Sequence, residues 1–320
     1  MTGEGQAYTA ADWGRVALVA GLWGSSFLFI DIGLDHFAPE VVAFARIALG
    51  AATLAAFPAA RRAVPRSDWG GVALLGVTWM AVPMLLFPIA EQWVDSSLAG
   101  MINGAAPLFT ALVAAVAVRR LPGRSTAAGL AAGFAGVIVV SWPALQDPDA
   151  TALGVALLLL ATLFYGVAFN VAAPLQRRHG SLPVLLRAQL VALVLTAPLA
   201  AAGVGDSEFA WSSALAMIAL GCGGTAVAFV AFTTLAGRVG STRASVTIYL
   251  LPPVAILAGG LFRDEAIGVT ALIGTALVLA GAAVMGRSNA PAGEITRRGS
   301  RRGRLVGDAP GGRPRRRVRR

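Results

Sequence analysis

The 320-residue chain is 57% hydrophobic and only 13% charged, where an average soluble domain is about 25% charged. That composition excludes an ordinary soluble enzyme, and a single cysteine, Cys222, excludes an intramolecular disulfide. The formal charge is +10; every basic residue is arginine, and without lysine there is no phosphate-binding loop of the GxxxxGK[ST] form.

The N-terminus, residues 1–12, is polar, lacks the basic start of an export signal and reads as cytoplasmic. Apolar runs long enough to cross a ~30 Å hydrocarbon core as helices follow at 13–31, 38–59, 69–89, 97–118, 125–143, 152–174, 182–203, 211–236, 241–262 and 266–286. They predict an all-α integral membrane protein of ten transmembrane helices. The first run contains LWGSSFLFIDIG, Leu22–Gly33. Here Trp23 offers a rigid face to a solute, while Gly24, Ser25 and Ser26 let helices approach and allow hydroxyls to bond across them. Asp31 ends the run as a solvated carboxylate. In the second run Arg46 is the most expensive side chain, since a central arginine costs roughly 2.5–3.5 kcal/mol on insertion scales. It either faces the bundle, where it can attract a substrate carboxylate, or it snorkels outward or pairs with an acidic outer residue.

Proline inside a helix removes the hydrogen bond to the carbonyl four residues earlier. Pro83 in the third run thus frees the carbonyl of Trp79, Pro107 in the fourth that of Asn103, and Pro253 in the ninth that of Tyr249. In lipid such a carbonyl finds a partner or faces a wet cavity, so Trp79, Asn103 and Tyr249 are expected to line a substrate path. Trp23, Ser25, Ser26 and Arg46 are candidates for the same path, and Tyr165 and Asn170 in the sixth run and Thr225 in the eighth are second-rank candidates for it. Glu91 and Glu265 end the third and ninth runs; each either binds a proton, if transport is proton-coupled, or is an exposed boundary charge. Gly129 and Gly133 in the fifth run, like Gly100, Gly104 and the GCGG run 221–224, are small-residue faces that pack helices within the subunit; those of the fifth run can instead serve a homodimer. Arg187 lies near the end of its run and is expected to snorkel.

Loop charges alternate in sign. Arg61, Arg62 and Arg66, then Arg119, Arg120 and Arg124, then Arg177 and Arg178, then Arg238 and Arg243 occupy every second connection. Asp35 and Glu40, Glu91 and Asp95, Asp147 and Asp149, and Asp206 and Glu208 occupy four of the others, and only the fifth, Arg263-Asp264-Glu265, includes an arginine. Arginine in short loops marks the cytoplasmic side, which puts both termini inside. The tail, residues 287–320, carries 12 Arg against Glu294 and Asp308. It has no apolar period and is expected to be disordered, lying near anionic lipid headgroups at about 1 kcal/mol per arginine; nucleic-acid binding is not needed to explain it. His36 and His179 fall in loops on opposite sides, so no zinc site, Cys–His nucleophile or other catalytic group is expected, and no cofactor.

The second half repeats the first. SLAGMINGAAPLFTALVAAVAVRRL (97–121) parallels STRASVTIYLLPPVAILAGGLFRDE (241–265), aligning Pro107 with Pro253 and Asn103 with Tyr249. Gly129 and Gly136 match Gly274 and Gly281; Leu75-Gly76 matches Leu220-Gly221. Five runs per half, 13–143 and 152–286, make the halves insert with opposite orientations, an architecture recurrent in secondary transporters. WGSSF, PEVVAFAR, the Pro107 segment ending in Arg119-Arg120, and YLLPPVAILAGGLFRDEAIG together resemble the EamA branch of the drug/metabolite transporter superfamily, over residues 15–286. The resemblance implies a central cavity walled by helices 1–4 and 6–9, with helices 5 and 10 outside. One departure is visible: the family commonly has an acid ending helix 4, where this chain has Arg119, so a symmetric carboxylate pair with Glu265 is missing. The expected function is that of an inner-membrane secondary transporter, exporting a metabolite, amino acid or drug-like solute by alternating access. A membrane-embedded enzyme on a lipid or prenyl substrate would need polar groups gathered at one interface, and a scaffold would act through the basic tail.

Overall fold

The computed structural model describes residues 8–119, 122–145, 151–239, 244 and 246–288. The basic tail beyond 288, the acids Asp147 and Asp149, and Arg120 and Arg243 lie outside the described residues. No strand occurs among the described residues. In chain order the helices are α1 (Ala10–Leu34), α2 (Pro39–Ala55), α3 (Arg66–Ala90), α4 (Ser96–Val118), α5 (Arg124–Leu145), α6 (Thr151–His179), α7 (Ser181–Gly203), α8 (Trp211–Val239), α9 (Val246–Tyr249 and Leu251–Phe262) and α10 (Val269–Ser288). Seven stretches, in α1 and α3 to α8, are long and apolar enough to cross a membrane; those in α9 and α10 are shorter. At 17 residues, α2 is also short. It stops at Ala55 rather than 59 because Pro58 opens a 3-10 turn, Pro58–Arg61.

Local chemistry explains the helix ends. Helix α1 starts at a capping box: the Thr9 hydroxyl accepts from the Asp12 N–H and the Asp12 carboxylate accepts from the Thr9 N–H. Helix α2 starts on Pro39 in its first turn. Gly180, alone between α6 and α7, has φ +85, a conformation that favours glycine.

Several helices are interrupted inside the bundle. Helix α1 breaks at Ser25, α4 at Gly104 and Ala105, and α9 at Leu250. Helices α3 and α8 widen into π-helical segments, Gly76–Ala81 and Ala219–Val227. In α3 the Val82 N–H reaches back five residues to the Val77 carbonyl, so the helix is already underpaired where Pro83 withholds its donor. In α8 the Ala228 N–H reaches the Gly223 carbonyl in the same way, within the glycine-rich run and without a proline. The first segment starts at Gly76 and the second two residues before its match, Gly221.

Helices α5 and α10 pack antiparallel, glycine against backbone. A Cβ on Gly129 would stand 2.8 Å from the Gly281 carbonyl oxygen, and one on Gly136 2.7 Å from that of Gly274. The glycines of α5 are thus used inside the subunit. Two larger cores fill the rest: one around Phe27, Ile30, Phe87, Ile102, Leu158 and Leu220, the other around Ile47, Leu54, Leu75, Trp79, Met80 and Leu185.

The alternating loops gather at two ends. At the acidic end Arg263 pairs with Asp31 and, at 2.8 Å, with Asp35, while the Glu208 N–H donates to the His36 carbonyl at 2.8 Å. At the basic end Arg238 holds Asp12 at 2.9 Å, His179 meets Asp68 at 2.7 Å, and Arg187 donates to the Ala60 carbonyl at 3.0 Å. Arg187 therefore fastens α7 to the turn after α2.

Candidate substrate site

Eight aromatic rings form a continuous belt of contacts on α1, α3, α6 and α8, starting and ending on α1. Trp23 of α1 meets Phe232 and Phe229 of α8, each at a centroid distance of 5.1 Å. Phe229 meets Trp79 of α3 at 5.5 Å, and Trp79 meets Phe169 of α6 edge-on at 5.6 Å. Phe169 stacks on Tyr165 at 5.9 Å, Tyr165 lies 5.8 Å from Phe87 of α3, and Phe87 returns to Phe27 of α1 at 5.5 Å. Such edge and offset contacts each add about 0.5–1.5 kcal/mol beyond buried area. The Trp23 indole N–H donates to the Gly224 carbonyl at 2.9 Å, inside the π-helical segment, where the widened turn leaves an acceptor for it.

Two opposite charges lie among these helices. Arg46 is 9% exposed and does not snorkel. Its Nε donates to the Thr225 hydroxyl at 3.2 Å, and that hydroxyl donates to the Leu220 carbonyl at 3.1 Å, five residues back in the π-helical segment. Glu91 is 6% exposed, and neither of its oxygens has a hydrogen-bond partner among the described residues. Lying one residue past the α3 span, its carboxyl is pushed well above the ordinary range by burial and by the Asp31 charge, against the pull of Arg46.

Glu265 is placed very differently. Its carboxylate accepts from the Ser96 N–H at 3.0 Å, the Ser96 hydroxyl at 2.6 Å and the Ser97 N–H at 2.9 Å. It caps the N-terminus of α4, where backbone donors and the helix dipole favour an anion. Neither acid is an exposed boundary charge.

The other expected path residues are dispersed. The hydroxyls of Ser25 and Ser26 do not bond across helices. They turn back to the carbonyls of Gly21 (2.5 Å) and Leu22 (2.8 Å), the nearest acceptors on their own helix. Gly24 lies against Val254 and the Leu251 carbonyl of α9, which leaves no room for a Cβ. Asn170 donates to the carbonyls of Thr110 (3.0 Å) and Gly166 (2.8 Å), tying α6 to α4. Tyr249 donates its hydroxyl to the Ala282 carbonyl of α10 at 3.2 Å. Asn103 ends the first segment of α4, its Oδ1 buried without a partner. Trp23, Trp79 and Tyr165 thus share the belt, Arg46 and Thr225 share a hydrogen bond, and Ser25, Ser26, Asn170, Tyr249 and Glu265 are engaged elsewhere.

Sequence reasoning missed Phe27, Phe87, Phe169, Phe229 and Phe232, although Phe27 and Phe169 sit one turn from the named Trp23 and Tyr165. It also missed Gln189 of α7, the one amide side chain in run 182–203, which is fully buried with neither amide atom hydrogen-bonded among the described residues. Its amide nitrogen would stand 3.2 Å from a Cβ on Gly50, which also abuts Thr225.

The sequence profile of the EamA-like transporter family matches residues 15–142 and again 152–287. Over 280 residues the chain is 28% identical to a protein of Streptantibioticus cattleyicolor named a probable terminal-alkyne amino-acid exporter, covering 87% of this chain and 93% of that one. It is 26% identical over 280 residues to a probable amino-acid metabolite efflux pump of Escherichia coli K12, covering 82% and 91%. One crystal structure matches with a TM-score of 0.60 at 18% identity, covering 87% of this chain and 98% of that one, a likeness of fold.

Proposed function

Because this chain belongs to the EamA-like transporter family, we propose that it is a secondary transporter exporting a small organic solute across the cell membrane by alternating access. Its ten helices act as ten spans in two inverted five-helix repeats, residues 13–143 and 152–286, with both termini cytoplasmic. The observation that carries this reading is the double match of one family profile to consecutive halves of the chain. The paired π-helical segments of α3 and α8, the paired breaks of α4 and α9, and the antiparallel α5–α10 contact support it. The names of the two relatives favour an amino acid or amino-acid metabolite as solute over a drug-like compound.

The path runs along the aromatic belt, with Trp23, Trp79 and Tyr165 as its wall, Arg46 and Thr225 beside it, and Asn103 at the break of α4. Of the two acids weighed as proton carriers, Glu91 is the better placed, since Glu265 is engaged as a helix cap. The basic tail rests on anionic headgroups and is dispensable for flux. Purified protein in vesicles tests the reading: efflux or counterflow of a panel of amino acids and cationic drugs, with and without a pH gradient. Flux of at least one solute above that of empty vesicles is expected; none above that background contradicts it.

A further inference from the structure

We propose that Arg46 and Glu91 hold the two ends of a zwitterionic solute, its carboxylate on Arg46 and its ammonium on Glu91, with its apolar body against the rings of Phe87 and Tyr165. This rests on the transporter reading and adds to it the residues that select the solute.

Both side chains are more than nine-tenths buried, and both are underused. The guanidinium makes one hydrogen bond among the described residues, from Nε to Thr225, and its two terminal nitrogens donate to nothing there. Both oxygens of Glu91 lack a partner. A buried charge left uncompensated is strongly destabilising, and an arginine kept within a membrane helix, as Arg46 is in α2, marks a pathway by default. The two groups are near enough to interact electrostatically, yet no direct ion pair joins them within 4.0 Å.

Aromatic rings lie beside both groups. Phe87 precedes Glu91 by one turn on α3, and its ring lies 5.8 Å from that of Tyr165, which is in turn within electrostatic reach of Arg46. A solute with one cationic and one anionic end completes the hydrogen bonds of both groups and leaves the assembly neutral. A simple anion leaves Glu91 repelling it, and a simple cation leaves Arg46 doing so. The site thus discriminates by requiring both ends, and a missing charged partner is the kind of loss that a binding site rejects most strongly.

The test is competition in vesicles, with L-leucine and L-phenylalanine as labelled solutes and N-acetyl-phenylalanine and phenylalaninamide as probes lacking one end. Wild-type protein should carry both amino acids, and each capped probe should compete at least about tenfold more weakly than unlabelled phenylalanine. Glu91→Gln should shrink the preference over the N-acetyl probe, and Arg46→Gln the preference over the amide. A ratio of solutes on one preparation is independent of how much protein is folded, and the wild-type competition needs no variant. Either probe competing as well as phenylalanine overturns the proposal, as does flux of cationic drugs without flux of either amino acid, which leaves the transporter reading intact. No flux of any solute removes that reading and the proposal with it.

Discussion

Glu265 and Glu91 stand at the same end of the molecule and feel one another's charge, yet one is saturated and the other unmatched. Glu265 takes three donors from the start of α4, two of them backbone N–H groups that no residue of α4 itself can satisfy. Glu91 is held deeper, within a turn of the belt, with no donor on either oxygen among the described residues. Sequence position alone makes them equivalent helix-terminal acids; what separates them is whether a neighbouring helix presents its N-terminus. A carboxylate at a helix N-terminus stabilises architecture, whereas a buried carboxylate without donors is free to exchange a proton or a ligand.

Substitutions that remove charge but keep shape break the comparison most sharply. Glu91→Gln should lower amino-acid efflux by about a hundredfold or more, the loss expected when a buried charged contact to a solute is removed, while the protein still extracts and migrates as a monodisperse species. Equal flux in wild type and variant would return Glu91 to a packing role. Glu265→Gln should act on stability instead: losing the charge-assisted bonds to α4 should cost about 1–3 kcal/mol, read as a lower unfolding temperature in detergent, with efflux kept within about threefold.

The dependence on pH separates the two acids further. A carboxyl raised above its ordinary value binds more protons folded than unfolded in the window between the two pKa values, so stability falls as pH rises through that window. Glu91, faced by Asp31, Arg46 and Glu265, should show this fall above the ordinary glutamate range, and Glu91→Gln should flatten it in a melting series across pH. Asp95 is raised for a related reason, burial and then the nearby Glu265 charge, so Glu265→Gln should shift its titration back toward the ordinary range. The smallest effect is expected from Ser96→Ala, which removes one hydroxyl donor of the cap and should cost about 1 kcal/mol.

Much of the architecture was legible because its causes are local. Apolar runs set the helices, Pro39 and Pro58 set the ends of α2, and loop charges sorted the connections to two ends that the ion pairs of Asp12, Asp68 and Arg263 now occupy. The matched glycines of α5 and α10 proved to be one mutual contact. Side-chain direction was much less legible. The proline rule flagged Tyr249 and Asn103 by their carbonyls, but the hydroxyl of Tyr249 reaches α10, a choice set by which helix packs on that face. The π-helical segments, which supply acceptors to Trp23 and Thr225, depend on tertiary packing of glycine-rich turns, and nothing in the residue order announces an extra residue per turn. Arg119, the departure noted in the sequence, is exposed with φ +52 at the end of α4, so the cap formed by Glu265 has no acidic counterpart there.

The most direct measurement is proton-driven efflux by wild type, Glu91→Gln and Glu265→Gln, reconstituted side by side at equal density with a pH gradient imposed. The account predicts that wild type and Glu265→Gln accelerate with the gradient and Glu91→Gln does not. Loss of the response in Glu265→Gln with its retention in Glu91→Gln, or indifference of wild type to the gradient, would contradict it.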